Sequence, residues 1–199
     1  VYRALSFFIV GEVYMDESFS ANKQSICLPK INQLGIVVQS IPDAVNHYTA
    51  LLGIGPWFRS GTVEHTTLYR GNSISIDVDI VLAFHKGMEV ELIELKGGDE
   101  CIYSECIQRG GGIHHVGSLV LSYDSKMKRV NEAGIQILQS GVIKTRGGAT
   151  TRYAYLDTVK QCGIITELIE TRLYKIPVPQ NRLFMEIGCL TGDVGKAHG

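Results

Sequence analysis

Two adjacent histidines, His114 and His115, open an alternating apolar run after the glycines of residues 110–112. On a strand, neighbouring side chains point to opposite faces, so only one of the two faces whatever that strand's inner side encloses. A second signal lies in the acids. Glu91-Leu92-Ile93-Glu94 is identical to Glu167-Leu168-Ile169-Glu170, and residues 31–38 line up with residues 113–120. Both matches are separated by about 80 residues, the mark of an internal duplication. Equivalent strands related by a pseudo-twofold bring equivalent residues to one cavity. The paired positions are Gln33 with His115 and Glu91 with Glu167, which selects His115 over His114. An imidazole, two carboxylates and an amide oxygen suit a divalent ion such as Zn, Ni, Co, Mn or Fe, with open positions for a substrate oxygen. A metal of this kind polarises a carbonyl and makes the adjacent C–H acidic. Glu94 and Glu170 fall three residues further on, on the opposite face, and read as solvated.

The elements that must position these residues form two rounds of one order. Residues 31–38 read as a strand. A helix follows, with Ser40 as cap, Pro42 in its first turn, an apolar face of Ala44, Val45, Tyr48, Leu51 and Leu52, and Gly53 at its end. Strands are expected at about 63–69, 73–84 and 88–95, with Gly71-Asn72 and Lys86-Gly87 at the turns. Residues 98–112 read as a linker with a helix at 102–109. The second round has a strand at 113–121, a helix at 124–133, short apolar runs at 135–138 and 142–144, and strands at 151–156 and 164–169. The expected organisation is an N-terminal extension (1–30), a first module (31–97), the linker, a second module (113–170) and a tail (171–199) with a short helix at 183–187. Phe7-Phe8-Ile9-Val10 reads as a short strand or arm.

Composition sets outer bounds. The chain has 199 residues, is 45% hydrophobic and carries a formal net charge of -1. A core is affordable, and nothing electrostatic calls for nucleic acid or an anionic membrane. No apolar run approaches the roughly 20 residues of a membrane span. Five cysteines with no Cys-x-x-Cys spacing argue against a disulfide framework or a thiolate zinc site, and fit a reducing, cytoplasmic setting.

Several motifs together resemble the vicinal oxygen chelate superfamily, also called the glyoxalase/bleomycin-resistance/dioxygenase superfamily. They are Gln33-Leu34-Gly35-Ile36-Val37-Val38, His47-Tyr48-Thr49-Ala50-Leu51-Leu52-Gly53, Val90-Glu91-Leu92-Ile93, Gly112-Ile113-His114-His115-Val116 and Ile165-Thr166-Glu167-Leu168-Ile169-Glu170. The run from Arg152 to Thr158 resembles the methylmalonyl-CoA epimerase-like branch. The resemblance implies an α+β fold of two βαβββ modules, forming cup-shaped mixed sheets around a central metal cleft, and a homodimer. It implies metal ligands at Gln33, Glu91, His115 and Glu167, with Glu167 doubling as the proton-moving base. The ligand order Gln, Glu, His, Glu resembles zinc-using glyoxalase I. The Arg that holds glutathione there is replaced here by Val37 and Val38. A second base on an earlier strand would fall at Asp77 or Asp79, with Glu64 behind them. The implied activity is metal-dependent isomerisation, epimerisation or lysis of a small carbonyl or thioester substrate by α-proton abstraction. The alternative is a metal-free drug-binding protein of the bleomycin-resistance type, its cleft lined by Trp57, Phe58, Tyr69, Tyr153 and Tyr155. Dioxygenase and thiol-transferase readings fit less well, because those sites favour His where Gln33 stands. Arg146 and Arg152 are candidate holders of a substrate phosphate or carboxylate.

Overall fold

The computed structural model describes residues 25–191 and 194–197. The expected arm at 7–10 lies outside them. The duplication is visible in the strand pairing. In the first round, β1 (Gln33–Val37) pairs in parallel with β6 (Met88–Gly98), which pairs with β5 (Ile76–His85) and then β2 (Trp57–Ser60). In the second, β7 (Gly112–Leu119) pairs in parallel with β10 (Ile165–Leu173), followed by β9 (Ala149–Leu156) and β8 (Ile137–Thr145). The two first strands, β1 and β7, join antiparallel at the centre. The mixed α+β fold predicted from the sequence is therefore present, as one curled sheet.

The capping signals for α1 (Ile41–Leu52) hold, but Leu51 and Leu52, expected on its apolar face, are exposed at its C-terminal end. Ser40 accepts from the Asp43 backbone N–H, and Gly53 ends the helix in the left-handed region at φ 65°. The Ala44 and Val45 side of α1 packs on Ile36, Val90 and Leu92, on the outer face of the first round of strands. Its counterpart α3 (Tyr123–Glu132) puts Val130 on Ala154, Leu156 and Leu168. Between the rounds, α2 (Ile102–Gln108) plugs one end, its Tyr103 buried against Tyr153 and Tyr155.

Glu94 and Glu170 do lie on the helix-facing side, but they are buried rather than solvated, at 9% and 1% exposure. A helix N-terminus leaves N–H groups without partners, and a carboxylate satisfies them. Glu94 Oε2 accepts from the Ile41 N–H at 2.8 Å, and Glu170 Oε1 from the Tyr123 N–H at 3.1 Å. The duplicated acids thus anchor the duplicated helices.

The expected strand at 63–69 is present as β3 (Thr62–Tyr69), but it leaves its own module. With β4 (Asn72–Ile74) it forms a hairpin, and β3 pairs with β8 of the second round. The module's own second strand is β2, in a stretch where the sequence reading named no strand. A single helical turn, α4 (Val159–Cys162), stands between β9 and β10 where the sequence suggests a polar turn. The short β11 (Ile176–Pro177) pairs with the end of β10. The tail carries α5 (Arg182–Thr191), longer than the helix expected at 183–187, and β12 (Val194–Ala197), which pairs with β2. No helix among the described residues is long and apolar enough to cross a membrane.

Candidate metal centre

The four central strands, in the order β6-β1-β7-β10, carry one predicted ligand each. Register explains why they meet. Gly35 sits opposite Glu91 on one side and opposite His115 on the other. Gly117 sits between Gln33 and Glu167 in the same way. Residues in register point to the same face, so each glycine leaves a gap between two ligands. The gap is filled by the ligand across it. A Cβ at Gly35 would lie 1.8 Å from the His115 ring, and one at Gly117 would lie 2.1 Å from Gln33 Oε1. The glycines were visible in the aligned repeat; their role follows only from this pairing.

His115 Nε2 is 3.2 Å from Gln33 Oε1, 3.0 Å from Glu167 Oε2 and 3.4 Å from Glu91 Oε2. The ligand atoms of Glu91, His115 and Glu167 all lie within 4.8 Å of one another. All four residues are buried. Despite their closeness to His115, Glu91 Oε2 and Glu167 Oε2 have no hydrogen-bond partner. One ring N–H cannot serve acceptors arriving from three strands. Buried oxygens without partners are expensive, and a cation among them removes that expense. The residues therefore fit a divalent ion, held by Glu91, His115 and Glu167 with Gln33 beside them.

The electrostatics agree. Burial alone would lower the His115 pKa, but the Glu167 and Glu91 carboxylates outweigh it and raise it to about 9. Without a cation, the imidazolium supplies the positive charge the acids require. Burial raises Glu167 above the ordinary range, against the pull of His115. Two groups outside the predicted set hold the ligands. Glu89 Oε1 accepts from Gln33 Nε2 at 2.8 Å, which turns Gln33 Oε1 towards the cluster. Burial, then Glu91, raise Glu89 to about 8. His114 Nδ1 is 3.0 Å from His115 Nδ1. Only one of those nitrogens carries the proton. If His115 Nε2 ligates through its lone pair, its Nδ1–H donates and His114 Nδ1 accepts. Burial, then His115, push the His114 pKa down to about 3, so it stays neutral. Glu89 shares a strand face with Glu91, which was the available hint; the His114 contact bends the alternation that separated the two histidines.

The cluster forms the floor of a cleft of about 240 Å³, walled by Tyr103, Tyr153, Tyr155 and His65 among others. The Tyr103 and Tyr155 hydroxyls are 3.0 Å apart. His65 comes from the crossing hairpin and bonds Tyr153 Oη at 2.9 Å. No local signal marks His65, because its place depends on β3 pairing with the other round.

Apart from Tyr153, Tyr155 and Asp79, the remaining nominated residues lie outside the cleft wall. Asp77 is exposed on β5 and outside the cleft wall, while Asp79 is in the wall but pairs with Arg59 at 2.9 Å. A register shift between Asp77 and Val78 breaks the alternation that would have aligned the two aspartates. Glu64 pairs with Lys144. Trp57 is buried under α1, with its indole N–H on Thr49. Tyr69 donates to Glu105. Arg152 lies behind the cleft, bridging Asp124 and Glu170. Long-range packing, invisible to periodicity, engages all four of Trp57, Tyr69, Glu64 and Arg152.

Comparison with known proteins adds to this geometry. A family model described as the Glyoxalase/Bleomycin resistance protein/Dioxygenase superfamily matches residues 32–155. None of the curated proteins searched matches significantly. Among solved structures, a hypothetical protein from Bacillus halodurans C-125 is 26% identical, with a TM-score of 0.52 over 76% of this chain and 98% of that one. A Streptomyces coelicolor methylmalonyl-CoA epimerase variant in complex with 2-nitronate-propionyl-CoA is 20% identical, with a TM-score of 0.51 over 71% of this chain and 96% of that one. Methylmalonyl-CoA epimerase from Mycobacterium tuberculosis is 19% identical, with a TM-score of 0.51 over 76% and 90%. The epimerases share the fold with this chain.

Proposed function

This chain belongs to the glyoxalase/bleomycin resistance protein/dioxygenase superfamily, whose model spans more than half of it, and from that membership we propose that it is a metal-dependent isomerase, epimerase or lyase acting by α-proton abstraction on a carbonyl or thioester. The observation that supports this most is the convergence of Glu91, His115 and Glu167 with carboxylate oxygens left unpartnered in a buried site. The same observation favours it over metal-free drug binding, which needs an apolar floor rather than orphaned acids.

When bound, the ion supplies Lewis-acid polarisation of the substrate carbonyl. Glu167, whose carboxylate lies beside the site where the carbonyl would bind, accepts the α-proton. Glu91 and Gln33 hold position through β6 and β1, and Glu89 fixes the Gln33 amide. The tyrosine wall excludes water from the reacting carbon, and Tyr155 is placed to donate to Glu167. Methylmalonyl-CoA is the first substrate to try, given the epimerases that share the fold. The test is α-proton exchange into deuterated water followed by NMR, with metal content measured alongside. Glu167→Gln should bring exchange to background and leave the cleft intact. Exchange at the parent's rate in that variant refutes the role of Glu167.

A further inference from the structure

A second cavity of about 380 Å³ adjoins the cleft. It lies between α5 and the β8–β9 hairpin, and its wall shares Leu82, Thr151 and Gln180 with the cleft. Its volume falls within the range of small-molecule sites. Leu173, Phe184 and Ile187 make much of it apolar, and Arg146 stands in its wall. Arg146, like Arg109 and Arg129, forms no ion pair among the described residues, whereas Arg59, Arg70, Arg152, Arg172 and Arg182 do. At the junction with the cleft, Gln180 Oε1 is buried without a hydrogen-bond partner. The α5 tail that roofs this chamber lies beyond residues 32–155, which the family model matches.

We propose that the chamber is a subsite for the arm of the substrate: an acyl or aryl chain that runs from the reacting carbonyl and ends in a carboxylate or phosphate paired with Arg146. The inference rests on the reading of the Glu91, His115 and Glu167 cluster as the reacting end. The apolar wall takes up the chain by removing it from water. Gln180 Oε1 accepts from a donor at the start of the arm, such as an amide N–H or a hydroxyl. The exposed guanidinium selects for an anionic end.

Decanoate and decanol are the probes, titrated calorimetrically into the zinc-loaded full chain. Decanoate should bind one to one. Arg146→Gln should weaken decanoate about fivefold, as expected for a partly exposed ion pair, and leave decanol unchanged. Ile187→Trp, on the half-exposed face of α5, should fill the chamber and weaken both probes at least tenfold. No saturable binding to the parent chain overturns the proposal, and so does decanoate affinity that is equal in the parent and both variants. These titrations do not depend on turnover. Failure here leaves the Glu167 role standing, and failure of the exchange experiment leaves the chamber standing.

Discussion

Adding one methyl group at Gly35 tests the architecture of the centre more sharply than removing a ligand. The new Cβ would lie 1.8 Å from His115 Cε1 and 2.3 Å from both ring nitrogens. Carbon atoms settle about 3.5 Å apart, so the ring must retreat by roughly 1.7 Å. It has little room: His115 is fully buried, with the Tyr155 ring 4.9 Å and the His114 ring 5.3 Å away, centre to centre. A metal site tolerates about 0.2 Å in a ligand distance. Gly35→Ala should therefore take His115 out of coordination. Overpacking of this kind destabilises by about 1–3 kcal/mol, and the stiffer unfolded chain returns about 0.4–1 kcal/mol. We expect a net loss of about 1–2 kcal/mol in chelator-treated protein. Zinc affinity should fall by at least about a hundredfold, the upper end for loss of a supporting group alone. At a hundred times its dissociation constant, zinc stabilises the parent by about 2.7 kcal/mol, so most of that gain should vanish in the variant. Gly117→Ala is the comparison. Its Cβ meets the tip of Gln33, at 2.1 Å, which can swing aside, so a smaller loss of about tenfold is expected. Calorimetric zinc titration and the visible spectrum of the cobalt-loaded protein read both effects. Parent affinity with an unchanged cobalt spectrum in Gly35→Ala would refute the register on which the centre depends.

His114 should act through His115. His114→Asn keeps an acceptor near the position of Nδ1 and should hold zinc within a few-fold of the parent, whereas His114→Leu should weaken it about 10- to 100-fold. Equal affinities in a zinc titration would show that the contact is only packing. Glu170 gives a pH signature. Burial opposes its ionisation, but Arg172, Arg152 and the Tyr123 N–H outweigh that and lower its pKa from 4.5 to about 2. A depressed carboxylate contributes stability above its unfolded pKa and loses it as pH falls through the folded value. Glu170→Gln should thus destabilise by about 2–3 kcal/mol at neutral pH, with the difference shrinking between pH 4.5 and 2. Urea unfolding across that range decides it, and a constant difference would count against the anchor.

Helices α1, α2, α3 and α5, the caps of α1 and the four residues that converge at the centre were readable in the chain because each depends on neighbours in sequence or on the repeat. Ser40 and Gly53 bound α1 through local backbone chemistry. The duplicated Glu-Leu-Ile-Glu named Glu91 and Glu167, and the aligned strands named Gln33 and His115. What periodicity could not supply was the identity of a strand's neighbour. An edge strand satisfies its free N–H and C=O groups on whichever edge the whole chain brings near. For β3 that edge is β8 in the other round, and His65 travels with it into the cleft. The bulge that separates Asp77 from Asp79, the burial of Glu94 and Glu170 beneath helices, and the chamber roofed by α5 share that origin. Alternation and helical spacing report which face a residue occupies, whereas burial, partners and cavities arise only when distant faces close on one another.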